Sequence, residues 1–459
     1  MAEHKVRRMR WLCLLALLAA CSSSTSQLTD AGVCETPACA PPTGLTVGTG
    51  SQFALLHWDA AAGVIDYRVT ATPQSGNAIT HQETQTSLLL GGLTNGVAYR
   101  ITVASSTAAG TGPASAAVLV TPQGLCSRGF ALYRSFPAGT SPTTVVAADF
   151  NNDGFADLAV TQASGITMLT NDQNADFSKR TDYPLGTGPG FLVAADFDNS
   201  GLPDLVASGT NTTLFLNDGT GNFDGGTGLG FASGTLAAGD LSETGLPDLI
   251  AGTSSGVIAF SISDGGVSDA GVFPLGFAPG FIAALDLNAD TVADLAVVSP
   301  AQSNVALLLT ASDGGFLAPA TAAAGSNALS LAAADFNADG LTDLATGGAD
   351  GQLHVMMNID GGAFAPPQAF DAGVPPGFLV AADLDQDSFS DLIYTASAQN
   401  MLGVMFNAQD GGFAPPLLYP TGKQPSSVAV ADFNNDGFPD LAVANRQDGT
   451  ISVYLNICR

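Results

Sequence analysis

The chain has 459 residues, with 41 Asp and Glu against 13 Lys and Arg and a formal net charge of −28. That balance repels phosphate backbones and anionic lipid surfaces, which argues against nucleic acid as a partner. Yet only 12% of residues are charged and 46% are hydrophobic, so this is no disordered acidic tail, and 54 Gly beside 2 Trp read as β-structure with many tight turns.

Residues 1–20 read as an address. Lys5, Arg7, Arg8 and Arg10 precede the apolar run WLCLLALLAA at 11–20, which is too short to span a bilayer as a mature helix. The run ends in Leu18-Ala19-Ala20-Cys21, which resembles the bacterial lipobox. That resemblance implies a signal peptide over 1–20, lipid on Cys21 and a Ser/Pro-rich tether over 21–40. The expected location is the bacterial cell envelope, reached through a lipid anchor rather than a span. Ser22 stands where an Asp would favour inner-membrane retention, which points to the outer membrane or cell surface. With Cys13 in the leader, four cysteines remain: Cys34, Cys39, Cys126 and Cys458. An even number outside the cytoplasm reads as two disulfides, with three possible pairings. Cys34 and Cys39 lie close together in a Pro-rich linker and are expected to pair locally.

Residues 41–122 alternate apolar and polar side chains in the runs FALLHWD, DYRVTAT, SLLLGGL and YRITVAS, the pattern of a small antiparallel β-sandwich. Trp58, Tyr67 with Val69, the Leu93/Tyr99 corner and the hairpin Gly110–Ser115 make the stretch resemble a fibronectin type III domain. The resemblance implies a spacer or a ligand-binding surface. His57 and His81 read as ordinary strand residues.

From residue 127 to 459 the chain repeats itself. A phrase of the form Ala-Ala-Asp-Phe-Asn-x-Asp-Gly-x-x-Asp-Leu recurs, with its first Asp at Asp149, Asp196, Asp240, Asp286, Asp335, Asp383 and Asp432. One apolar run enters each Asp loop and one leaves it. A third run follows (ITMLTN, TTLFLN, VALLLT, LHVMMN, ISVYLN), then a turn such as Asp313-Gly314-Gly315, Asp360-Gly361-Gly362 or Asp410-Gly411-Gly412, a Phe and a looser fourth run. Four strands per unit in seven units predict an all-β fold, a seven-bladed β-propeller after the sandwich. The repeats resemble the FG-GAP/VCBS type found in the integrin α-chain propeller and in many bacterial surface proteins. The first unit opens on an orphan strand, FALYRSF, and the last stops after its third. The orphan is therefore expected to complete the last blade, with a Cys126–Cys458 disulfide replacing the missing turn and sealing the ring.

The Asp loops carry the chemistry. In DFNNDGFAD, oxygen-bearing side chains fall at loop positions 1, 3, 5 and 9, namely Asp149, Asn151, Asp153 and Asp157, and Gly154 allows a sharp turn after position 5. Several hard oxygen ligands on a nine-residue turn are a Ca²⁺ pattern, and without a cation these charges repel one another. Position 12 is Val160 rather than Glu, and the flanks are strands, so this is no helix–loop–helix site. The loops Asp335, Asn337, Asp339, Asp343 and Asp432, Asn434, Asp436, Asp440 are equally complete. Asp383, Asp385, Asp387 and Asp391 supply four carboxylates, with Ser388 in place of Gly. Asp286, Asn288, Asp290 and Asp294 carry Thr291 there, a residue that restricts the turn. Asp196, Asp198, Ser200 and Asp204 keep Gly201 with one weaker ligand. Asp240, Ser242, Thr244 and Asp248 form the weakest set. The expected cofactor is several structural Ca²⁺ ions, because a closed ligand set recurring in every unit leaves no open position for catalysis.

No nucleophile elbow, P-loop or zinc His pair is present, and His354 sits in a strand run. No catalytic residue is assigned, and the chain is expected not to be an enzyme. The expected role is binding a protein or glycan outside the cell, in adhesion or envelope assembly. The alternatives are a lectin-like propeller, for which no repeated aromatic platform is visible, and a polysaccharide-acting enzyme with acids converging on the central channel.

Overall fold

The computed structural model describes residues 40–457 apart from 51–52, 62, 95, 109, 123–128, 187, 264–265, 312–314, 326–327 and 410. The leader, Cys21 and the tether to residue 39, together with Cys34, Cys39, Cys126 and Cys458, lie outside the described residues, as do Asp313, Gly314 and Asp410. Every regular element among the described residues is a strand.

Residues 40–122 form two antiparallel sheets. One holds Thr46–Gly50, Phe53–His57 and Ser87–Leu90; the other is built on Asp66–Pro73 and Tyr99–Thr107. Along Asp66–Pro73 buried residues alternate with partly or fully exposed ones, the period of a strand with one face to the core. Trp58 is fully buried and meets Tyr67 edge to face at 5.4 Å. Leu93 and Tyr99 are buried as well.

Residues 130–457 contain seven four-stranded antiparallel sheets, here called blades, with one Asp loop in each. In the first six the strands follow chain order. The innermost strands are Val145–Ala148, Leu192–Ala195, Leu236–Gly239, Phe281–Leu285, Ala328–Ala334, Leu379–Ala382 and Pro425–Ala431, and each neighbours the next, with the seventh returning to the first. The second strands are buried at every position, for example Asp157–Gln162 and Asp391–Ala396, because both of their faces are covered by adjacent blades. The orphan strand Phe130–Pro137 completes the seventh blade. It pairs antiparallel with Thr450–Asn456, from Phe130 opposite Asn456 to Pro137 opposite Thr450.

The inner strands enclose an axial cavity of about 400 Å³. Its lining is aliphatic and aromatic apart from Thr144, so no carboxylates converge there among the described residues. Phe281 meets Phe191 at 6.1 Å and Phe378 at 5.8 Å, linking blades two, four and six across the axis.

Successive blades are fastened by a device that recurs at the tip of the third strand. Asn171, Asn217, Asn358, Asn407 and Asn456 lie at the end of such a strand or one or two residues beyond it, and are buried. The side-chain amide of each donates to the position 2 carbonyl of the preceding blade's Asp loop. The acceptors are Phe433 (2.8 Å), Phe150 (2.9 Å), Leu287 (2.7 Å), Phe336 (2.8 Å) and Leu384 (2.7 Å). The same amide donates to a carbonyl of its own loop, as Asn407 does to Ser390 O at 3.1 Å. A Phe just beyond the turn then packs on the position 2 side chain. Phe177 meets Phe433 at 5.3 Å, Phe223 meets Phe150 at 5.7 Å, and Phe413 meets Phe336 at 5.5 Å.

Blades three and four depart from this pattern. At the clamp position blade three has Ile262, which has no amide to donate, and the hydroxyl of Ser261 just before it stays within its own blade on Asp248 Oδ1. Blade four has Thr310, whose hydroxyl donates to Ala293 O of its own blade. A cavity of about 380 Å³ opens beside it, lined in part by Leu241, Glu243, Asp290 and Thr310. Truncating a clamp orphans two buried carbonyls, so Asn407→Ala should lower stability in chemical denaturation by roughly 2–4 kcal/mol. Thr310→Asn can extend the clamp to Leu241 O and should raise stability by about 1 kcal/mol.

Candidate metal centre

Each Asp loop joins the first strand of a blade to the second. Position 9 is the first residue of the second strand and pairs with the last residue of the first, as Asp157 does with Ala148 and Asp391 with Ala382. The loop backbone is held by its own carboxylates. The position 1 carboxylate accepts the N–H of position 5 on one oxygen and that of position 6 on the other. Asp149 does so from Asp153 (3.1 Å) and Gly154 (2.8 Å), and Asp240 from Thr244 (3.1 Å) and Gly245 (2.7 Å). All seven loops share this arrangement. Where position 5 is Asp, it accepts the N–H of position 7, as Asp436 does from Phe438 at 2.9 Å. These bonds require two left-handed residues per loop. Position 4 has φ near +60° in every copy, at Asn152, Asn199, Glu243, Ala289, Ala338, Gln386 and Asn435. Position 6 is Gly in five copies, whereas Thr291 (φ 75°) and Ser388 (φ 74°) hold the same backbone without glycine's freedom.

Position 9 lies deepest. Asp157, Asp204, Asp248, Asp294, Asp343, Asp391 and Asp440 are all buried. In six loops the position 2 N–H donates to Oδ2, as Phe336 does to Asp343 at 2.9 Å. Oδ1 accepts the N–H of the clamp residue, as from Asn358 to Asp343 at 2.7 Å and from Asn456 to Asp440 at 2.7 Å. Burial pushes these carboxyls up: Asp157, Asp204 and Asp343 to about 6, Asp391 to about 7, and Asp294 and Asp440 in the same direction. The accepted N–H bonds work against burial, and the neighbouring loop carboxylates add to it.

Among the predicted ligands, three carboxylates converge in each of two loops, both of which have Asp at position 3. In the second blade, carboxylate oxygens of Asp196, Asp198 and Asp204 lie within 4.8 Å of one another, and in the sixth those of Asp383, Asp385 and Asp391 do the same. In the first, fourth, fifth and seventh blades position 3 is Asn, and the three carboxylates stand at positions 1, 5 and 9 instead. There Asn288 and Asn337 also donate to the position 5 carboxylates, Asp290 at 2.9 Å and Asp339 at 3.0 Å. The third loop is satisfied differently. Ser261 Oγ donates to Asp248 Oδ1 at 2.6 Å and Ser242 Oγ to Asp248 Oδ2 at 3.2 Å, so two hydroxyl donors serve this carboxylate.

Three mutually repelling, half-desolvated carboxylates fit a hard divalent cation. Sequence reasoning missed the clamp asparagines. Their signal was the Asn that ends four of the quoted third-strand runs and is replaced by Thr in VALLLT. His354 lies on a strand with Nε2 2.9 Å from Asp350 Oδ2 and takes no part in the loops.

Two outcomes follow. In metal-free protein the folded state holds protons on Asp157, Asp204, Asp343 and Asp391 that the unfolded chain, with carboxyls near about 4, releases. Stability should therefore rise as pH falls from about 7 towards about 4, a trend measured by denaturation in chelator. Relieving the left-handed Thr291 by Thr291→Gly should add about 1 kcal/mol, and Ser388→Gly should add less.

Comparison with known proteins agrees with this architecture. The FG-GAP-like repeat matches residues 149–207, 286–346, 335–394 and 383–443, and the fibronectin type III domain matches 40–121. No curated protein matches the chain. Among solved structures, BBS1N in complex with ARL6DN is similar over 71% of this chain and 96% of that one, at 12% identity and a TM-score of 0.55. The rhamnogalacturonan lyase YesW is similar over 92% of this chain and 90% of that one, at 13% identity and a TM-score of 0.45. The FN5 domain of Drosophila Lar covers 19% of this chain and 98% of that one at 21% identity and a TM-score of 0.18. At these identities the BBS1N likeness speaks to the propeller-like fold alone. The chain carries a fibronectin type III domain followed by FG-GAP-like repeats.

Proposed function

We propose that the chain is a calcium-stabilised, non-enzymatic binding module of the bacterial cell envelope. In this reading it is held by lipid on Cys21 and engages a protein or glycan outside the cell. The observation that carries the calcium part is the convergence of Asp196, Asp198 and Asp204, and of Asp383, Asp385 and Asp391, in loops whose backbone is already closed by hydrogen bonds. A cage with its turn preset needs charge neutralisation rather than folding, and calcium, when bound, supplies that charge. The same pattern in the first, fourth, fifth and seventh blades extends the ligand set to Asn151, Asn288, Asn337 and Asn434. The third blade stands apart because Ser242 and Ser261 already serve Asp248.

The chain's own residues give the cations a structural role. Position 9 touches the clamp residue's N–H, and the clamp's amide holds the neighbouring blade. Relieving repulsion in a loop therefore firms the joint between two blades. The envelope location rests on the basic start, the apolar run and the Leu-Ala-Ala-Cys sequence. A rigid ring on a tether and a spacer domain suits presentation of a surface to an external partner.

Chelation with EDTA should lower the melting temperature of the soluble 22–459 chain markedly, and added Ca²⁺ should restore it; an unchanged melting temperature sinks the calcium reading. With that chain as bait, an envelope or host-cell extract should yield a protein or glycan retained in calcium and released by EDTA. Retention of nothing under either condition contradicts the binding role.

A further inference from the structure

A polar concavity of about 390 Å³ lies at the seam where the ring closes. It sits at the opposite ends of the strands from the Asp loops. Three chain segments wall it: the link after the orphan strand, with Thr140 and Ser141; the approach to the seventh inner strand, with Gln424; and the hairpin carrying Arg446, Gln447 and Asp448. These segments are tied to one another by backbone bonds. Ala138 N–H donates to Gly449 O at 2.8 Å, Arg446 N–H to Gln424 O at 3.0 Å, and Gln447 N–H to Lys423 O at 3.1 Å. Ser141 (φ 53°) and Gln424 (φ 55°) are held left-handed without being glycine, and backbone strain of this kind concentrates at functional sites.

The side chains are left available. Among the described residues, those of Thr140, Ser141, Gln424, Arg446 and Gln447 make no hydrogen bond to the protein. Arg134 and Arg180, by contrast, are paired with Asp176 and Asp182. The one carboxylate in the wall, Asp448, accepts the Lys423 backbone N–H at 2.7 Å. Arg446 is the one cation of the wall, and among the described residues it makes no ion pair, on a chain of net charge −28.

We propose that this seam pocket binds a carboxylated saccharide. The Arg446 guanidinium offers a planar fork to the carboxylate. Two amides and two hydroxyls offer donors and acceptors to ring hydroxyls. The proposal deepens the binding role proposed above, and rests on it, by naming the ligand's chemistry and its place.

The test is isothermal titration of the soluble 22–459 chain, in calcium, with a glucuronic-acid-terminated oligosaccharide, its methyl ester, and a short peptide with a free C-terminal carboxylate. The acid should bind, and the ester and the peptide should bind at least about tenfold more weakly. Arg446→Gln should weaken the acid by a similar factor, and Asp448→Asn should tighten it, which a merely damaged fold does not do. Both changes are on exposed residues and should leave the melting temperature unchanged. Equal binding of acid and ester, equal or better binding of the peptide, or indifference to Arg446→Gln overturns the proposal. Arg446→Gln used as bait separates the two readings. If it still retains the wild-type partner from extract, the binding role stands and the pocket falls. If wild-type bait retains nothing while the titration succeeds, the pocket stands and the envelope partner falls.

Discussion

The position 9 aspartate is the contact on which the ring depends. It is a carboxylate buried at the start of each blade's second strand, and its two oxygens face two different tasks. One accepts the N–H at position 2 and so sets the entry of the loop. The other accepts the N–H of the residue at the clamp position, or in blade three the hydroxyl of Ser261 just before it. In five blades that residue is the asparagine whose amide reaches the preceding blade. Loop shape, strand register and blade-to-blade attachment therefore meet at one desolvated charge. Burying a carboxylate so thoroughly is costly unless it is paired. The N–H bonds offset part of that cost, and burial still holds Asp391 up at about 7.

This explains why the repeat is uneven. Where position 3 is Asp, in blades two and six, three carboxylates stand within 4.8 Å of one another. Where position 3 is Asn, the side chain there is an amide that can donate to a neighbour, as Asn337 does to Asp339. Blade three has given up both charge and clamp, with Ser242 and Ser261 bonding Asp248 instead. Blade four keeps the charge but has Thr310 at the clamp position, and a cavity lies beside it. The stretch from blade two to blade four is thus joined by fewer buried polar bonds than the rest of the ring.

Much of this was legible in the residues. Strand runs and Asp loops follow local rules, a period of two and turn residues at fixed offsets, and these set the all-β repeat architecture and the position of each loop. Phe150, Phe197, Phe336 and Phe433, which alternate with ligand positions, are fully buried as that alternation requires. What stayed hidden is non-local. The amide of Asn171 meets Phe433 far along the chain, and no spacing rule states such a contact. The left-handed φ at position 4 is carried by Ala289, Ala338 and Gln386 as well as by Asn, so composition does not announce it. The acidity that first read as a repulsive surface also changes meaning: the seven loops take about half of the 41 acidic side chains, and the deepest of them are buried.

The most direct measurement is the calcium stoichiometry of the metal-stripped 22–459 chain by titration calorimetry, for wild type and for Asp391→Asn and Asp248→Asn. If the Asp loops are ion cages, wild type takes up several ions, Asp391→Asn takes up fewer, and Asp248→Asn matches wild type. Absence of calcium uptake, or uptake unchanged by Asp391→Asn, contradicts it.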